Sequence, residues 1–128
     1  IILNSILEGD ALAFAFETAY ANHTTPLIVD FSKAHMSING GRQLLKVQAL
    51  SEINLSYNFL SGLGHALANA THNGLKTIVI RTSGLNSTDF SILIPSLKNS
   101  QVKTIIVDGN DFGNDNGLVF ARQSLKPP

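Results

Sequence analysis

Residues 50–60 read LSEINLSYNFL, and the same frame returns at residues 75–85, LKTIVIRTSGL, and at residues 102–112, VKTIIVDGNDF. Each stretch has apolar side chains at its first, fourth, sixth and eleventh positions: Leu50, Ile53, Leu55 and Leu60, then Leu75, Ile78, Ile80 and Leu85, then Val102, Ile105, Val107 and Phe112. The ninth position is Asn58, Ser83 or Asn110. A fainter copy, PLIVDFSKAHM at residues 26–36, keeps Val29, Phe31 and Met36 but has Pro26 at the first position and Ala34 at the ninth. Side chains alternate along a strand, so positions four and six share one face and turn to a core. Positions three, five and seven then face away from it.

The segments that follow, SGLGHALANATHNG, NSTDFSILIPSLKNS and GNDNGLVFARQSLK, change period. Leu63, Leu67 and Ala70, and again Phe90, Leu93, Ile94 and Leu97, recur at helical spacing. Ser87, Thr88 or Asp89 is expected to cap the second of these helices, and Pro95 to kink it or mark a late start. The units start at residues 26, 50, 75 and 102, roughly 25 residues apart and inside the ~20–29 residue period of leucine-rich repeats.

On these residues the chain resembles the leucine-rich repeat family, specifically its ribonuclease-inhibitor-like type, from about Pro26 to Leu125. The resemblance implies an α/β solenoid with short parallel strands on a concave face and helices on a convex one. It implies a single domain over residues 1–128, with repeats near 26–49, 50–74, 75–101 and 102–126 and a partial N-terminal repeat at 1–25. In that partial repeat EGDALAFAFETAYANHT is the helix, and the strand lies in or before IILNSIL. The short second and third units call for abbreviated helices. The core ladder expected is Val29, Ile53, Ile78 and Ile105. An opening Ile in place of Met points to a processed product or a piece of a longer protein.

Residues 59–80, FLSGLGHALANATHNGLKTIVI, are also similar to sulfate-transporter and anti-sigma-factor-antagonist domains. That likeness implies a regulatory α/β domain, switched by a nucleotide or by phosphorylation of a serine such as Ser61. It covers one strand-helix-strand unit, whereas the repeat covers three in register.

Residues 108–117, DGNDFGNDNG, pack three Asp and three Asn among three Gly and look like a calcium loop. Counted from Asp108, the fifth position is Phe112, where an oxygen ligand is required, and no bidentate Glu stands at the twelfth. In the repeat frame Asn110 is the ninth-position residue and Phe112 a core anchor, so a turn without metal is expected. The family resemblance implies that the ninth-position amide turns inward to backbone groups.

Nine basic and nine acidic side chains cancel, which removes any long-range field suited to nucleic acid or a charged membrane surface. The absence of cysteine excludes disulfides, thiolate zinc sites and thiol nucleophiles. The longest apolar run, ALAFAF before Glu17, falls far short of the ~20 residues of a membrane span. His23, His35, His65 and His72 are scattered, and His65 and His72 are not at the three- or four-residue spacing of helical metal pairs. SGLG at residues 61–64 could offer N–H groups to an anion but lacks the Lys of a phosphate loop. No nucleophile elbow is present. The expectation is a chain without enzymatic activity, cofactor or metal. Sequons begin at Asn22, Asn54, Asn69 and Asn86 and would accept glycans only in a secreted protein.

Outward positions then carry function. Position five supplies Asp30, Asn54, Val79 and Ile106, position seven Ser32, Ser56, Arg81 and Asp108, and position eight Lys33, Tyr57, Thr82 and Gly109. Val79 and Ile106 are apolar where water is expected, although β-branched residues also simply favour strands. Tyr and Arg are enriched at interface hot spots. Tyr57, Val79, Arg81, Ile106 and Asp108 are therefore the expected partner-binding residues. The family resemblance implies a non-catalytic protein–protein interaction module whose partner is a protein, with no nucleic acid and no membrane. Repeat proteins of this class in intracellular bacteria are often effectors delivered into host cells. The Asn- and Ser-rich composition without Trp or Cys leans that way, placing the chain in the cytoplasm or in a host cell.

Overall fold

Alternating burial follows the strand pattern residue by residue. In the computed structural model, which describes residues 8–112, Ile53, Leu55, Ile78 and Ile80 are at most 1% exposed, while their outward neighbours Asn54 and Val79 are half-buried. The chain runs α1 (Glu8–Tyr20), β1 (Leu27–Asp30), α2 (Ile38–Leu44), β2 (Leu50–Asn54), α3 (Gly64–Ala70) with a 3-10 turn at Thr71–Asn73, β3 (Thr77–Val79), α4 (Ser87–Leu97) and β4 (Thr104–Ile106). This is an α/β chain with a four-stranded parallel sheet in the order β1-β2-β3-β4. Each parallel crossover carries a helix, which is the connection parallel neighbours require.

Register matches the repeat frame except at the start of β1, where Leu27 and not Pro26 pairs with Leu50 before a shift restores the frame at Ile28. Val29 pairs with Ile53, Ile53 with Ile78, and Ile78 with Ile105. Beyond the strands the stacking continues through the backbone. The sixth-position N–H groups of Phe31, Leu55 and Ile80 donate to the fifth-position carbonyls of Asn54, Val79 and Ile106, each at 2.8 Å. Those of Lys33, Tyr57 and Thr82 donate to Ser56, Arg81 and Asp108 at 2.9, 2.9 and 3.0 Å.

The core joins these anchors to the helices through Leu44, Leu60, Leu63, Leu67, Leu85, Phe90 and Leu93, all buried. Burying one such side chain fully contributes about 1.5–3 kcal/mol over leaving it in water. Phe112, the last anchor described, stacks on Phe90 with ring centroids 4.1 Å apart.

Helices pack in two close pairs, α1 with α2 and α3 with α4. Glycine permits both approaches. A Cβ on Gly64 would stand 2.6 Å from the Asp89 Cα, and one on Gly40 would collide with the Asp10 carboxylate.

Three local expectations need correction. The N-cap of α4 is Asn86, whose side chain accepts from Asp89 N–H while Asp89 returns a bond to Asn86 N–H. A carbonyl-bearing side chain one residue earlier outcompetes Ser87, Thr88 and Asp89 because it completes this reciprocal box. Pro95 lies in the last turn of α4, on its exposed side, so it does not open the helix late. Of the helices in the second and third units, α3 is abbreviated at seven residues, whereas α4 runs to eleven and is not. The strand expected in or before residues 1–7, and the helix expected after Phe112, lie outside the described residues.

Candidate functional site: the open sheet face and its exit rim

At the ends of the strands, one side chain from each unit holds the turn of the unit before it. Asn58 Oδ1 accepts from Ala34 N–H and Met36 N–H at 3.1 and 3.0 Å, and its Nδ2 donates to the Phe31 and Leu55 carbonyls, both at 2.9 Å. Asn110 repeats the pattern one frame on. It accepts from Ser83 and Leu85 N–H at 3.0 and 3.1 Å and donates to the Ile80 and Val107 carbonyls at 2.7 and 2.9 Å. An amide suits this post because it offers an acceptor and two donors at once. With Asn110 so engaged, its amide is spent on backbone rather than on a cation. Among the described residues no group of three His, Asp or Glu side chains is placed to hold a metal ion. Asp115, the third acidic residue of the calcium-like stretch, lies outside them.

The expected patch residues are partly gathered. Val79 and Ile106 sit side by side in register, half-buried, on the sheet face away from the helices. Beside them the Arg81 Nε lies 3.1 Å from Asp108 Oδ1, with side chains 45% and 71% exposed. A pair this open stabilises by about 0–1 kcal/mol and is free to exchange partners. Tyr57 is joined to this row through its N–H on the Arg81 carbonyl, and the Lys33 ammonium stands 5.4 Å above its ring. Ser56, expected on the surface, is only 3% exposed. Its hydroxyl accepts from the Arg81 N–H at 2.9 Å, so it belongs to the stacking and not to the surface. On the same face Asp30 accepts from Ser32, which holds its carboxyl below the ordinary Asp value.

Backbone geometry at position eight is the least anticipated feature. Lys33, Tyr57 and Thr82 all take left-handed φ, at 53°, 61° and 46°, and Gly109 has 78°. For a side-chain-bearing residue this costs about 1–2 kcal/mol, offset by the stacking bonds these same N–H groups make. Sequence offered one signal, Gly109 itself, which stands where a Cβ would strike Thr82 Oγ1.

The N–H groups at SGLG do meet an anion, and it is internal. Asp89 on α4 accepts from Gly62 and Gly64 N–H at 3.0 and 2.9 Å. Asp10 on α1 does the same for Ser37 N–H at the start of α2, at 2.7 Å. His65 and His72 are exposed. Of the sequon residues, Asn22 and Asn69 are exposed, while Asn54 and Asn86 are engaged in local hydrogen bonds. No described helix is long and apolar enough to cross a membrane.

In comparisons with known proteins, no family model, no curated protein and no solved structure matches this chain.

Proposed function

We propose that the chain is a non-catalytic protein-interaction module, a short leucine-rich repeat array that docks a partner protein on the sheet face left open by its helices. The observation that carries this is the adjacent apolar pair Val79 and Ile106 on that face, flanked by the exposed Arg81–Asp108 pair and by Tyr57. Such a face combines an apolar centre with a polar rim, which is the anatomy of a docking surface. The sequential ladder and the inward asparagines support a solenoid, and favour it over the antagonist-type regulatory domain, which asks for no such recurrence. Composition supports the narrower assignment to a bacterial effector acting in host cytoplasm.

Affinity capture from a cell lysate, with the parent chain beside a Val79→Asp, Ile106→Asp double variant of matched circular dichroism, tests the assignment. A protein retained by the parent and lost by the variant is expected. Identical captures, or none by either chain, would remove the sheet face as the docking surface.

A further inference from the structure

Fastening Asn58 inward has a consequence for its neighbours. With Asn58 turned to backbone and Leu60 buried, Tyr57 and Phe59 are held outward, 49% and 63% exposed. The equivalent flanking pairs are Lys33 and His35, Thr82 and Gly84, and Gly109 and Asp111, so the strand exits form a rim that reads basic, aromatic, small, acidic along the sheet. Where the aromatic pair meets the small one the surface steps down. Phe59, Ser61, Thr82 and Gly84 line a shallow cleft of about 380 Å³ whose floor includes Leu60.

The packing of the second unit is served by Leu60, so the exposed Phe59 ring is apolar surface left in water beside a cleft. At its basic end the rim carries Lys33, which caps the Tyr57 ring. Among the described residues no carboxylate forms an ion pair with Lys33. Asp30, three residues away on β1, directs its carboxylate to Ser32 N–H. The rim thus sets an uncompensated cation beside an apolar cleft.

We infer that this rim docks an extended peptide segment of the partner, placing an acidic side chain against Lys33 and an apolar side chain in the cleft between Phe59 and Gly84. The inference rests on the interaction-module assignment and names the partner's chemistry. Strands stand about 4.8 Å apart, so the cleft between the second and third units lies about 7 Å from the first along the rim. An extended chain rises about 3.4 Å per residue and turns every second side chain to the same side. The acidic and apolar residues are therefore two positions apart in the peptide.

The test is selection of a random peptide display library on the full chain. Enrichment of peptides with Asp or Glu two positions from a bulky apolar residue is expected. An enriched synthetic peptide should lose about tenfold or more in affinity on Phe59→Ser, the scale of a hot-spot truncation. Selection on the folded Lys33→Glu chain should replace the acidic residue with Lys or Arg, a reversal that a merely structural role for Lys33 would not produce. Absence of enrichment, or a motif lacking the acidic–apolar pair, overturns the rim proposal. So does binding lost in the Val79/Ile106 variant but untouched by Phe59→Ser and Lys33→Glu, which would leave the module assignment standing on the sheet face alone.

Discussion

Asn58 and Ser83 occupy the same position in consecutive units and solve the same problem differently. Asn58 reaches across to the preceding turn with its side chain, satisfying two N–H groups and two carbonyls. Ser83 has only a hydroxyl, which accepts from Asn58 N–H at 3.3 Å and donates to the Leu55 or Arg81 carbonyl. Its own backbone carbonyl then takes the Leu60 N–H at 2.8 Å, the donor an amide would otherwise have received. Both sites are buried, at 4% and 1% exposure, so neither can leave a group to water. The lesson is that the turn can be closed by an amide at arm's length or by a hydroxyl with the backbone drawn in, and that the two solutions put different weight on the side chain.

Truncation should separate them. Asn58→Ala removes a partner from four backbone groups, of which the Leu55 carbonyl keeps the Ser83 hydroxyl. The Ala34 and Met36 N–H groups and the Phe31 carbonyl lose theirs, each at about 1–3 kcal/mol, and partial relaxation should bring the total to about 3–5 kcal/mol in urea unfolding. Ser83→Ala should cost about 1 kcal/mol, because the Leu60 N–H keeps its backbone partner. Equal losses at the two sites would show that the backbone bond at Ser83 is not an independent substitute for the amide.

The smallest effect concerns the outward face of the same strand ends. Hydrogen bonding from Ser32 lowers the Asp30 pKa in the folded chain. Stability from a depressed carboxyl is present above its unfolded pKa and is lost as pH falls through the folded one. The stability difference between the parent and Asp30→Asn should therefore favour the parent at neutral pH and shrink as pH falls below about 4. Unfolding midpoints measured from pH 7 to pH 3 would check the sign, and a gap that widens with acid would contradict it.

Much of the fold was legible because its signals are local and repeated. Ile53, Ile78 and Ile105 could be aligned in advance since each sits in the same eleven-residue frame, and the observed register follows that alignment. The candidate site was legible only in part. Val79 and Ile106 were found from alternation, Tyr57 and Arg81 from residue type, and Asp108 from its outward position. Phe59 was passed over, although a position flanking an inward asparagine and preceding a core leucine is bound to point out. Ser56 was misplaced because alternation alone does not reveal that a short hydroxyl will be covered by the next strand's backbone.

What the sequence by itself determined was the frame: which residues are strand anchors, which helical faces are apolar, and which strand follows which. These depend on side-chain period and on the recurrence of one unit, both properties of the chain read along its length. Tertiary structure alone decided how polar atoms are shared between units: Asp89 capping α3, Asp10 capping α2, Lys33 resting on Tyr57, and left-handed backbone at Lys33, Tyr57 and Thr82. Each of these contacts joins atoms more than twenty residues apart or answers to one that does. Their partners are set by how closely one unit settles on the next, and no property of a single unit encodes that distance.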